Sequence, residues 1–73
     1  MTKYIVRLDG QIIGKRNSAA GRIYTHAIVR NQPGQPVEVL SFCGNLRLAQ
    51  AEASRRTHQS GGWRYEIVPV EIV

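Results

Sequence analysis

The sequence predicts a small α+β protein, with an antiparallel sheet of four to five strands and one helix packed on one face of the sheet. An Asp9-Gly10 pair between two β-prone runs is typical of a tight hairpin, since Asp-Gly favours the positive φ angles of a type I′ turn. Only the segment after Asn45 is built mostly from good helix formers. No repeat, linker or low-complexity segment interrupts the 73 residues, so we expect residues 1–73 to form a single domain.

The predicted elements follow one another as a hairpin, two further strands, a helix and a C-terminal strand. A two-residue turn at Asp9-Gly10 fixes the facing pairs across the hairpin: Leu8 with Gln11, Val6 with Ile13, and Tyr4 with Lys15. Residues 16–21 break the pattern and predict a flexible loop. β-branched and aromatic residues then predict strands over residues 22–30 and 37–42.

The helix is predicted from its caps and its composition. Asn45 is the expected N-cap of a helix over residues 46–59, which Gly61-Gly62 ends. The helix has a narrow apolar stripe that consists of Leu46, Ala49 and Ala53. We expect this stripe to pack on the third strand, against Ile23, Ala27 and Val29.

The last segment, residues 63–73, predicts a C-terminal strand. Pro69 has no N–H to donate to a ladder, so we expect this end of the strand to lie at a sheet edge or to carry a bulge. The aromatic residues here are most simply core anchors. The alternative is a protein-binding edge made of Trp63, Tyr65 and Ile67, because an unpaired apolar edge favours strand addition or homodimer formation.

The positive charge is concentrated in the first part of the chain. The net charge is +5; residues 1–30 hold six bases and one acid, and residues 31–73 hold four of each. Alternation along the strands predicts that most of these bases share one open sheet face, where arginine and lysine meet phosphates while tyrosine and histidine stack on bases. We call this predicted surface the basic face; it consists of Lys3, Arg7, Arg16, Arg22, Tyr24, His26 and Arg30. A solvated sheet face that binds nothing gives the same alternation.

No catalytic, metal-binding or cofactor-binding residues are predicted, and we expect a protein that is not an enzyme. A chain of this length has little stability to spare for a deep catalytic cleft. His26, Cys43 and Asp9 are residue types that nucleophilic catalysis uses, but nothing in the sequence fixes their proximity. His58 adds no metal-ligand spacing to the set, and a buried, inert thiol is the expected state of Cys43.

The beginning of the chain and its cysteine content predict a cytoplasmic protein. Arg7 and Asp9 interrupt the first residues before an apolar region develops, unlike a signal peptide. No apolar run approaches the roughly 18 residues that span a bilayer, so we expect no association with a membrane. A single cysteine forms no disulfide within the chain and is typical of a reducing compartment.

The stretch KRNSAAGRIYTHAIV resembles small accessory proteins of tailed phages that infect actinobacteria. The shared pattern is a Gly-Lys-Arg segment, a short polar loop and an Arg-x-Tyr-Thr-His-Ala strand, which correspond here to Gly14, Lys15, Arg16, Arg22, Tyr24, Thr25, His26 and Ala27. An alanine-rich helix and a terminal EIVPVE-like strand also fit the type. The resemblance implies an accessory protein that binds macromolecules in the host cytoplasm, and it implies no catalytic residues.

The sequence therefore favours a small, basic, non-enzymatic module that binds a host or phage protein and modulates it. The alternative is a nucleic-acid-binding module that uses the basic face. The two hypotheses differ in their salt dependence, because binding through phosphates weakens steeply as salt rises.

Overall fold

The computed structural model describes residues 1–19 and 21–73, and the side chains of these residues other than that of Ser60. It contains a single antiparallel sheet and one helix, which confirms the predicted α+β class. The elements, in chain order, are β1 (Thr2–Leu8), β2 (Gln11–Ser18), β3 (His26–Arg30), β4 (Glu38–Cys43), α1 (Leu46–Ser60) and β5 (Tyr65–Ile72).

The first hairpin turns at Asp9-Gly10, as predicted. Asp9 has a φ of 51° and Gly10 a φ of 79°, which are the positive angles that a type I′ turn requires. Leu8 lies opposite Gln11 and Arg7 opposite Ile12, but the register shifts between Arg7 and Val6. Val6 pairs with Gly14 and Tyr4 with Arg16, so the expected pairs with Ile13 and Lys15 are wrong. The reason is a β-bulge that leaves Ile13 as an extra residue on β2.

The loop between β2 and β3 begins later and ends later in the chain than expected. β2 continues to Ser18, so residues 16–18 belong to a strand, whereas β3 begins only at His26. The preceding residues 22–25 lie outside the strands. Ala20, in the predicted loop, lies outside the described residues.

The C-terminal strand lies in the middle of the sheet. The strand order is β2-β1-β5-β3-β4, so the expectation that this strand forms an edge is wrong. Pro69 is tolerated because the two ladders of β5 are offset along the strand. The Val70 N–H donates to the Thr25 carbonyl on the β3 side (2.9 Å), so the Pro69 nitrogen points to the β1 side, where pairing starts only at Val70.

The sheet curls around a core on its concave face. Val6, Ala27, Val29 and Val68 form the buried centre of this core. At the open side of the curl, β2 approaches β4, and a Cβ built on Gly14 would lie 2.7 Å from Cγ2 of Val39. The two edge strands therefore help to close the core that the curled sheet encloses.

The helix covers the convex face of the sheet rather than the face that we expected. Asn45 caps it through Oδ1, which accepts a hydrogen bond from the Leu48 N–H (2.8 Å), and Gly61 ends it in the left-handed region with φ 68°. Ala49 and Ala53 pack with Ile28 and Cys43 in a second buried cluster.

Three residues of the predicted helix contact lie elsewhere. Ala27 and Val29 belong to the concave core, and the Ile23 side chain is 65% exposed. Leu46, at the start of the predicted stripe, is 46% exposed. Both faces of β3 are apolar at its centre, so alternation along this strand did not indicate which face the helix covers.

Along the described part of the chain, no helix is both long and apolar enough to cross a membrane.

Candidate anion-binding cleft

The residues of the predicted basic face do not share one face of the sheet. The register places Lys3 and Arg7 on the convex side of β1, whereas Arg16 lies opposite Tyr4 and points to the concave side. His26 and Arg30 alternate with the concave Ala27 and Val29, so they lie on the helix side of β3. Arg22 is in the segment before β3. The expectation of a single open basic face is therefore wrong in its geometry.

Tyr24 is buried rather than displayed. Its ring packs edge-on against Tyr4, with centroids 5.3 Å apart, and against Phe42, with centroids 5.6 Å apart. The side chain is only 9% exposed. Tyr24 precedes β3, so strand alternation does not apply to it. The Tyr24 ring therefore lies on the concave side of the sheet, whereas the His26 ring lies on the helix side.

Two of the predicted cations are paired with carboxylates. Arg7 Nε lies 3.0 Å from Oε2 of Glu71, and a terminal nitrogen of Arg30 lies 2.6 Å from Oε2 of Glu38. Both pairs join neighbouring strands of the sheet. These arginines therefore serve cross-strand ion pairs.

The remaining arginines of the predicted face meet at a cleft beside the end of β2. The cleft has a volume of about 350 Å³, which lies near the lower end of the ~300–1,000 Å³ typical of small-molecule sites. Its lining contains two guanidinium groups, and none of the described residues that line it is acidic. The lining residues are Arg16, Asn17, Ser18, Ala19, Arg22 and Tyr24. We call this site the Arg16–Arg22 cleft.

Arg16 is held in place by aromatic rings. Its guanidinium carbon lies 5.1 Å from the centroid of the Tyr24 ring and 5.7 Å from that of Phe42. Cation–π contacts of this kind use the flat face of the guanidinium and leave its N–H groups at the edge. Arg16 therefore needs little reordering to donate hydrogen bonds into the cleft.

The backbone of Arg22 is also fixed. Its carbonyl oxygen accepts a hydrogen bond from Oγ of Ser18 (2.8 Å) and one from the Tyr4 hydroxyl (3.3 Å). Ser18 is itself buried, at 8% exposure. Because both donors come from the β1–β2 hairpin, the Arg22 side chain starts from a defined position beside Arg16.

This arrangement suits an anion with several oxygen acceptors. Guanidinium groups form bidentate hydrogen bonds with phosphate and carboxylate oxygens, and two of them supply both charge and geometry. The sequence pointed to Arg16, Arg22 and Tyr24, but it missed Asn17, Ser18 and Ala19, which it predicts as part of a flexible loop. The polar run that directly follows Lys15-Arg16 is the signal that was available.

The candidate catalytic residues do not form a complete constellation. The register places His26 opposite Cys43 on neighbouring strands, and Cys43 is buried. The His26 Nδ1 atom lies 2.8 Å from Oγ1 of Thr25. Asp9 is in the first hairpin turn and His58 in the last turn of α1. Among the described residues, no three His, Cys, Asp or Glu side chains are grouped as metal ligands.

The residues of the predicted protein-binding edge are in different environments. Tyr65 and Ile67 are partly buried and pack in the cluster beneath the helix. Trp63 precedes β5 and is 37% exposed. Since β5 is paired on both sides, these three residues do not form a free strand edge.

Comparisons of the chain with protein-family models, with curated proteins and with solved structures give no match. The resemblance to phage accessory proteins therefore stays a prediction.

Proposed function

We propose that the protein is a non-enzymatic nucleic-acid-binding module that contacts phosphate groups through the Arg16–Arg22 cleft. The observation that carries the proposal is the Arg16 guanidinium, held by two aromatic rings, beside Arg22, whose backbone carbonyl is anchored, in a cleft with no acidic residue among its described lining residues. The sequence supplied this function as its alternative. Its support now comes from the cleft and no longer from a shared basic sheet face.

The charges around the cleft support the proposal. Across the hairpin, Lys3 lies opposite Asn17, and Lys15 precedes Arg16 on β2. Within the described residues, no carboxylate lies within ion-pairing distance of Lys3, Lys15, Arg16 or Arg22. Arg16 and Arg22 lie at the cleft, and Lys3 and Lys15 lie at the same end of the sheet on its convex side. Together these cations produce a positive potential at this end of the sheet, which attracts a polyanion.

The binding that we propose is directed at the phosphate backbone rather than at bases. Tyr24 and Phe42 lie under the Arg16 guanidinium, and Tyr24 is buried. Neither ring therefore offers a free face for a base at the cleft. Phosphate contacts fix position but carry no sequence information directly, so we expect little sequence preference from this site.

The test is a titration of fluorescently labelled single-stranded and duplex DNA, measured by anisotropy at several salt concentrations. We expect Arg22→Ala and Arg16→Ala each to weaken binding about tenfold, because each removes a charge-assisted hydrogen bond, and to lower the salt slope by about one. Arg47→Ala is the matched control, since it removes the same charge from an exposed helix position outside the cleft.

Two results would contradict the proposal. The first is an absence of binding by the unchanged protein at low salt. The second is an equal loss of affinity in the Arg47→Ala and Arg22→Ala variants, since that would indicate general charge attraction without a site. Circular dichroism of each variant checks that the fold is intact.

Our second proposal is the binding of a host or phage protein, which the sequence favoured first. The edge that supported it is absent, but three large apolar side chains are exposed around the start of the helix. A Cβ built on Gly44 would lie 3.4 Å from the Ile23 carbonyl oxygen, so the segment around Ile23 adjoins the turn before the helix. These exposed side chains are Ile23, Leu46 and Leu48.

The protein-binding proposal is tested by affinity capture from nuclease-treated host lysate. We expect one stoichiometric protein to be retained by the unchanged chain and by Arg22→Ala, and to be lost with Leu48→Lys, because a charge at Leu48 disrupts an apolar contact. Retention by Leu48→Lys, or no specific protein at all, would exclude binding through this surface.

A further inference from the structure

A second cavity lies at the other end of β3, where α1 ends and β5 begins. Its volume is about 190 Å³. Tyr65 in its lining pairs with Arg30, the last residue of β3, whereas the Arg16–Arg22 cleft lies near the segment that precedes His26. These two ends are about 13 Å apart along the strand at 3.3 Å per residue. The lining residues are Arg56, Gln59, Trp63 and Tyr65, and we call this site the Trp63 cavity.

One wall of the Trp63 cavity is a positioned indole ring. The guanidinium carbon of Arg30 lies 4.5 Å from the centroid of the Trp63 ring, and Glu38 in turn holds Arg30 through their ion pair. The Nε atom of Arg30 is buried and has no hydrogen-bond partner among the described residues, so this guanidinium is held mainly by the ring and by Glu38. Trp63 nevertheless stays 37% exposed, so part of the indole is accessible from the cavity.

A second wall comes from the last turns of the helix. Arg56 and Gln59 are three residues apart on α1, so their side chains are neighbours on its surface. The Nε atom of Arg56 donates to Oε1 of Glu52 (2.9 Å), which fixes the guanidinium while its terminal nitrogens remain available. In the described part of the structure, no hydrogen bond engages the Gln59 amide. The cavity thus combines a flat aromatic surface with an amide that both donates and accepts.

This combination selects a planar group with donors and acceptors along its edge. Indole rings stack on nucleobases irrespective of sequence, and a glutamine amide matches a donor–acceptor pair on a base edge. The volume lies below the ~300–1,000 Å³ of sites that enclose drug-sized ligands, so one base fits the cavity better than a whole nucleotide does.

We propose that the Trp63 cavity binds a single nucleobase, which stacks on Trp63 and hydrogen-bonds to Gln59. This site is separate from the Arg16–Arg22 cleft and does not depend on it. A nucleoside without phosphate is therefore sufficient as a ligand, which distinguishes this proposal from phosphate binding at the cleft.

The experiment is a titration of the full chain with adenosine, followed by the fluorescence of Trp63, which is the only tryptophan. We expect saturable quenching with a Kd on the order of 1 mM or tighter. Gln59→Ala should raise the Kd at least about threefold, because it removes the group that pairs with the base edge. Gln50→Ala, an exposed helix position outside the cavity, and Arg22→Ala should both leave the Kd unchanged.

Any of the following outcomes would overturn the proposal. Quenching that rises linearly with adenosine indicates collisions without a site. Equal effects of Gln59→Ala and Gln50→Ala indicate that the cavity is not involved, and saturable quenching by inorganic phosphate but not by adenosine indicates an anion site. A further outcome is that DNA binding depends on Arg22 while adenosine does not quench the Trp63 fluorescence. This outcome would overturn the present proposal and still support phosphate binding at the cleft.

Discussion

The role of each arginine depends on the groups that its guanidinium contacts. Arg55 and Arg56 both pair with Glu52 on the surface of α1, as Arg7 and Arg30 pair with glutamates of neighbouring strands. Exposed pairs of this kind contribute only about 0.2–1 kcal/mol each. They nevertheless remove positive charge from the convex side of the sheet and the helix, so much of the uncompensated charge lies near the Arg16–Arg22 cleft.

The contacts of Glu52 with Arg55 and Arg56 change its pKa. A side-chain hydrogen bond from Arg55, with further contributions from Arg56, lowers the pKa of Glu52 below its ordinary value of 4.5. A lowered pKa in the folded state means that Glu52 stabilises the fold above the unfolded pKa, and that this stabilisation is lost as pH falls through the folded pKa. We expect Glu52→Gln to reduce the free energy of unfolding at pH 7 by about 0.5–1 kcal/mol.

Urea titrations at pH 7 and near pH 2 measure this effect. The difference between the unchanged protein and Glu52→Gln should be present at pH 7 and should be smaller at the lower pH, because protonation of the carboxyl group removes its ion pairs with Arg55 and Arg56. Glu66→Gln is the control on β5. A difference between the unchanged protein and Glu52→Gln that is the same at both pH values would show that these ion pairs do not stabilise the fold.

At the scale of the elements, one extra residue in β2 creates the cleft. The expected hairpin register pairs Tyr4 with Lys15 and therefore places Arg16 on the opposite face from Tyr4. The bulge at Ile13 moves Arg16 opposite Tyr4, on the concave side, since a shift of one residue exchanges the faces of a strand. Alternation did not predict the bulge because Ile12 and Ile13 are both apolar and fit either register.

At the scale of the whole molecule, the order of the strands decides what is accessible. β5 pairs with β1 over Val70–Ile72 and with β3 over Tyr65–Pro69, so it joins the first hairpin to the second. The edges of the sheet are β2 and β4. These two strands approach one another at Gly14 and Val39, which makes this contact the closure of the curled sheet.

The closure predicts that Gly14 does not tolerate a side chain. A Cβ at this position would lie 2.7 Å from Cγ2 and 3.2 Å from Cβ of Val39. The β-branched Val39 side chain has restricted χ1 rotation, so it cannot easily move away from the added methyl group. We expect Gly14→Ala to lower the free energy of unfolding by about 1–2 kcal/mol through overpacking. Urea unfolding followed by circular dichroism measures the loss.

A double-mutant cycle separates this contact from a general effect of alanine. Val39→Ala removes the opposing methyl groups, so the loss in the Gly14→Ala, Val39→Ala double variant should be smaller than the sum of the two single losses. Gly44→Ala is the control, because the nearest atom to its added Cβ is 3.4 Å away. Additive losses, or a Gly44→Ala variant as unstable as Gly14→Ala, would contradict the role of the closure.

The sequence by itself determined the features that depend on local chemistry. The Asp9-Gly10 turn, the Asn45 cap, the end of the helix at Gly61 and the order of the elements all follow from the conformational preferences of adjacent residues. The tertiary structure decided the central place of β5, the face that the helix covers and the meeting of Arg16 with Arg22. These features depend on pairing between residues far apart in the chain and on a bulge, and short apolar strands with two buried faces leave both undetermined.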